Sequence, residues 1–134
     1  MRNLHASLLL TCAVLLACAA SPPAPTNLSS ALDADARTLK QLEEAGADLS
    51  KPHVVEFFLY FPSQRAAEAA AEEIRSLGYA PEVGLPPDSA SWLCFAQKQL
   101  VPSYEAIAAT TEELTRVATN YGGVYDGWGT QVVL

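Results

Sequence analysis

The chain has 134 residues, half of them apolar, and a formal net charge of −7 at pH 7. That is enough for one domain with its own core. An acidic surface with no Lys/Arg patch repels phosphate backbones, which argues against a nucleic-acid-binding protein.

The two ends differ in composition. Arg2 is followed by an apolar run from Leu8 to Ala17 and then by small residues, the three-part pattern of a secretory signal. The run is too short to span a bilayer comfortably. Leu15, Leu16, Ala17 and Cys18 resemble a bacterial lipobox, in which the cysteine is lipidated and becomes the first residue. The expected organisation is residues 1–17 as signal peptide, residues 18–27 as lipidated Cys18 and a linker stiffened by Pro22, Pro23 and Pro25, and residues 28–134 as the domain. Without its first 17 residues the chain keeps seven basic against fifteen acidic residues, a net charge of −8. The expected location is the cell envelope, as a periplasm-facing outer-membrane lipoprotein held by its lipid anchor. A soluble secreted or periplasmic chain is the alternative.

Leu28 to Ala45 reads as a helix with Leu28, Leu32, Leu39 and Leu42 on one stripe and Gly46 as its stop. His53 to Phe61 is the strongest strand, with Val55, Phe57, Leu59 and Phe61 on an apolar face and Val54, Glu56, Phe58 and Tyr60 on a mixed one, so it is expected to be central. Ser63 caps a helix over Gln64 to Leu77, which buries Ala67, Ala70, Ala71, Ile74 and Leu77 and exposes a charged face. Tyr79 to Val83 is a short strand whose Pro81 cannot donate to a ladder, which places it at a sheet edge. Ser91 to Leu100 is the third strand. Ser103 caps a helix from Tyr104 to Tyr121, and Val124 to Val133 is the last strand.

This order, with its leading helix, is the ferredoxin-like split βαβ pattern (βαββαβ). The expected class is α+β: a four-stranded antiparallel sheet with two helices on one face, plus an N-terminal helix. That helix is expected to lie across the other sheet face and cover part of it. Val54, Phe58, Tyr60, Trp92 and Trp128 are candidates for that face, depending on register.

The chemistry-bearing residues are sparse. After removal of the leader, His53 is the only histidine and Cys94 has only Cys18 for company, so no metal cluster, triad or disulfide is expected. A protein without catalytic residues or cofactors follows. The densest segment is Gly123 to Thr130, where Tyr125, Asp126 and Trp128 crowd among three glycines. Glycines at Gly127 and Gly129 imply a bulge or a close approach, with Asp126 as an acceptor at the turn or bulge. Amphipathic rings suit half-buried contact positions. Tyr125, Asp126, Trp128, Phe58 and Tyr60 are therefore the candidate partner-binding residues.

The run Tyr125 to Thr130 after a long amphipathic helix, with Gly46 to Leu49 and Leu77 to Tyr79, resembles the regulator of ribonuclease E activity B (RraB) family over Leu39 to Val133. The resemblance implies the same architecture, no enzymatic activity and a protein partner, ribonuclease E, inhibited by direct contact. Export would keep the domain from that cytoplasmic enzyme, so the expected function is a membrane-anchored protein-binding regulator. The alternatives are a cytosolic ribonuclease E inhibitor, if the signal is not used, and an envelope domain binding a small ligand.

Overall fold

The protein is described here by a computed structural model that covers residues 28–134. The signal peptide, Cys18 and the proline linker lie outside the described residues. In chain order the elements are α1 (Leu28–Glu44), β1 (His53–Phe61), α2 (Gln64–Ser76), β2 (Ala80–Gly84), β3 (Trp92–Leu100), α3 (Tyr104–Asn120) and β4 (Val124–Thr130).

Strict alternation along β1 puts Val55, Phe57, Leu59 and Phe61 on one face, where each is fully buried. A strand that apolar belongs in the middle, and the sheet order is β2-β3-β1-β4 with antiparallel pairing throughout. The fold is thus the expected α+β, ferredoxin-like split βαβ, with proline-bearing β2 at one edge. Helices α2 and α3 lie on the face of Phe57. Ala67, Ala70 and Ala71 let α2 approach the sheet closely, and Ile74, Ile107, Leu114 and Val117 fill the layer between. Cys94 is buried in that layer, and burial pushes its thiol up to about 11. It is a packing residue and a poor nucleophile.

The two helices that cover the sheet, α2 and α3, each start on a serine cap. The Ser63 hydroxyl accepts from the Ala66 N–H and the Ser103 hydroxyl from the Ala106 N–H, each at 3.1 Å. Replacing either by alanine removes the partner of an otherwise orphaned donor, and the expected loss is about 1 kcal/mol per cap, read as a shift in the urea unfolding midpoint. α2 stops at Gly78, whose φ of +98° closes the helix in the left-handed region.

Two features differ from the sequence reading. β4 ends at Thr130 and does not continue to Val133, because the Val133 carbonyl turns back to accept from the Asp48 N–H at 2.7 Å. Lys51 Nζ likewise donates to the Leu134 carbonyl at 2.8 Å. The second difference is α1, which does not cross the open sheet face. It packs beside α3, in the helix layer.

Candidate functional site

Register decides which side chains share the open face. Phe58 pairs with Phe95 and with Gly127, and Glu82 pairs with Phe95, so one row across the sheet reads Glu82, Phe95, Phe58, Gly127. The row on one side reads Ala80, Gln97, Glu56, Gly129, and the row on the other reads Gly84, Leu93, Tyr60, Val124. The Phe58 and Phe95 rings lean on each other, 5.4 Å apart between centroids and tilted by 57°. Phe58, Tyr60, Leu93 and Phe95 are all half-buried, and Val54 beyond them is exposed. None of the three described helices packs on this side.

β4 breaks its pairing between Phe58 and Leu59 of β1. Asp126 is the extra residue of that bulge, exposed to solvent, and Gly127 takes the φ of +125° that closes it. Because of the bulge, Tyr125 and Trp128 both point toward the helices, opposite Leu59 and Phe57 respectively. The five candidate binding residues are therefore divided: Phe58 and Tyr60 lie on the open face, Asp126 at the β4 edge, and Tyr125 and Trp128 under the helix layer. Trp92, opposite Phe61, also lies on the helix side.

What holds Trp128 there is a residue absent from the sequence-based candidates. Asp35 of α1 is 3% exposed, and its carboxylate accepts from the Trp128 indole N–H at 2.8 Å and from the Thr111 hydroxyl at 2.7 Å. Burial raises the Asp35 carboxyl above its ordinary range, against the opposing pull of the two hydrogen bonds. One carboxylate thus ties α1, α3 and β4 together. Its sequence signal is positional: Asp35 falls on the stripe of Leu32, Leu39 and Leu42, where a charged residue without a buried partner would be out of place. Tyr125 is buried beside Thr111, its hydroxyl has no well-formed hydrogen bond among the described residues, and burial raises it.

Two further polar groups, His53 and Tyr79, sit in separate surroundings. His53 is 1% exposed; its Nδ1 sits 2.8 Å from the Lys51 carbonyl, to which it donates as the Nδ1–H tautomer, and its Nε2 is unpartnered among the described residues. Tyr79 packs edge-on against Phe57 at 5.4 Å, donates its hydroxyl to Glu113 Oε1 at 2.8 Å and carries Lys98 Nζ 4.5 Å above its ring. Among the described residues no group of three His, Cys, Asp or Glu side chains stands together to hold a metal ion. No described helix is long and apolar enough to cross a membrane. Among the described residues, open surface grooves lie between α2 and β2 at Glu72 and Pro81 and between α1 and the start of α3 at Leu39 and Pro102.

The class defined by these observations is a ferredoxin-like α+β domain that braces its N-terminal helix with a buried carboxylate and presents an aromatic sheet face. The chain belongs to the RraB family, regulator of ribonuclease activity B, whose family model matches residues 32–130. The match runs from within α1 to the end of β4 and so includes Asp35, Thr111 and Trp128. A comparison with curated proteins finds no match. The chain is thus a member of a family of regulators of ribonuclease activity.

Proposed function

We propose that this protein is a non-enzymatic regulator that acts by occupying a partner protein's surface through its open sheet face, and that it is exported and anchored at the cell envelope through a lipidated Cys18. The observation that carries the binding role is the half-exposed Phe58–Phe95 pair, an aromatic patch at the centre of a sheet face that no described helix packs against. Membership in a family of regulators supports the same role. Export rests on the charged, apolar and small-residue order of Met1 to Ala20 and on the quartet ending at Cys18.

The family favours a second reading, in which the partner is ribonuclease E itself. The inner membrane would separate an exported domain from that enzyme, so the address of the chain decides between the two. Fractionation of the native host with intact-mass analysis makes the decision. A chain starting at an acylated Cys18 in the outer membrane is the expected result. A soluble chain retaining Met1 would overturn export, and slowed cleavage of a substrate RNA by ribonuclease E would then be the activity to measure.

The contact surface has its own test. Phe58→Ala is expected to abolish recovery of the crosslinked partner while circular dichroism and melting stay close to wild type, since Phe58 lies outside the core. Unchanged recovery would remove the open face from the function.

A further inference from the structure

The charges around the aromatic pair say what kind of partner fits. The domain's seven basic residues are Arg37, Lys40, Lys51, Arg65, Arg75, Lys98 and Arg116, and none of them falls at an open-face position of the sheet. Several are engaged elsewhere: Arg75 with Glu72 at 2.7 Å, Arg116 with Glu73 at 3.2 Å, and Lys98 over the Tyr79 ring. The open face carries carboxylates only. Glu82 stands directly across from Phe95, which puts their Cβ atoms about 5 Å apart. Glu56 precedes Phe58 by two residues on the same strand, about 7 Å along it. Neither carboxylate has an ion pair among the described residues.

We propose that this face seats an arginine-bearing segment of a protein partner, with a guanidinium lying on the Phe58–Phe95 pair and hydrogen-bonded to Glu56 or Glu82. The inference rests on the binding role proposed above and adds the chemistry of the partner. A guanidinium is flat, weakly hydrated and forked, so it stacks on a ring while donating sideways to a carboxylate; a lysine ammonium is a compact, strongly hydrated charge that does the first less well. Nucleic acid and anionic lipid are disfavoured by the same carboxylates. On the β4 side of the rings, a Cβ added at Gly127 or Gly129 would meet nothing within 4 Å. That flank is therefore low and unobstructed, and the partner's backbone has room to run over β4.

The test titrates the isotope-labelled full chain with an alternating leucine–arginine octapeptide and with its leucine–lysine counterpart, following backbone amide resonances. The arginine peptide is expected to move the amides of Glu56 to Tyr60, Glu82 and Leu93 to Gln97, and to bind about tenfold more tightly than the lysine peptide. A Glu56→Gln, Glu82→Gln double variant, which removes no core packing, is expected to bind the arginine peptide about tenfold more weakly with its melting temperature unchanged. Shifts confined to another surface, equal affinity for the two peptides, or undiminished binding by the double variant would each overturn the proposal. So would self-association through this face, or its occupation by the chain's own N-terminal residues. Loss of the native partner in Phe58→Ala but not in the double variant would defeat the arginine assignment alone. Retention of the partner in both would defeat the binding role beneath it.

Discussion

Asp35→Ala is expected to lower the unfolding free energy by about 3 kcal/mol, because it leaves the Trp128 indole N–H and the Thr111 hydroxyl as buried groups without a partner. For a domain of this size that corresponds to a fall in melting temperature of roughly 15 °C. Asp35→Asn is expected to cost far less. Its amide oxygen still accepts from Trp128, its nitrogen donates to the Thr111 oxygen, and the desolvated charge is gone. The pair of variants therefore separates loss of hydrogen bonding from loss of charge.

The pH dependence follows from the direction of the Asp35 shift. Burial raises the carboxyl in the folded state above its unfolded value. The fold then binds the proton more readily than the unfolded chain does, so the Asp35 contribution favours folding below the unfolded value and is lost as pH climbs through the raised one. Asparagine does not titrate. Wild type is thus expected to gain stability relative to Asp35→Asn as pH falls from neutral into the carboxylate range, measured as paired melting curves. A relative loss on acidification would show that the hydrogen bonds to the ionised form outweigh its desolvation. Undocking of α1 in Asp35→Ala is also expected to expose Trp128, seen as a red-shifted fluorescence that Asp35→Asn does not share.

Gly123→Ala is the other large effect, expected at about 3 kcal/mol because the added carbon has nowhere to go. It would collide with the Tyr60 carbonyl oxygen and with Phe61 Cδ1, and would lie 2.7 Å from Phe61 Cε1. The carbonyl is main chain and Phe61 is a buried core ring, so neither yields cheaply. The close approach arises where α3 turns through Gly122, at φ +74°, and drops directly onto β1 as β4 begins. Gly129→Ala is the control, since its Cβ would enter open space, and its effect on denaturant unfolding is expected to stay within about 0.5 kcal/mol. Equal losses at the two positions would refute the steric account.

Very little of the candidate site was legible as a set, although its parts were. Phe58 and Tyr60 fall on the open face because alternation from the buried Val55 and Phe57 fixes their side, and that is visible in the strand itself. Trp128 and Tyr125 could not be placed in the same way. The bulge at Asp126 shifts the β4 register by one residue, and a one-residue shift exchanges the two faces of a strand. Glycines announce that a bulge is available without saying on which residue it falls. Asp35 was missed because a single carboxylate on a helix reads as a solvated side chain, and only the arrival of Thr111 and Trp128 from 76 and 93 residues away gives it buried partners.

By itself the sequence determined the element order, the proline edge strand, the central β1 and hence the α+β split βαβ fold. Those follow from local periodicity, capping and a missing N–H, none of which needs a distant contact. It also supplied the residues that mark the family. Tertiary structure alone decided where α1 docks, which aromatics face outward, and that the outward face combines a ring pair with carboxylates and no cation. Each of these depends on register and on partners far apart in the chain, and an amphipathic helix with one apolar stripe fits either side of a sheet until a buried carboxylate and an indole fix it to one.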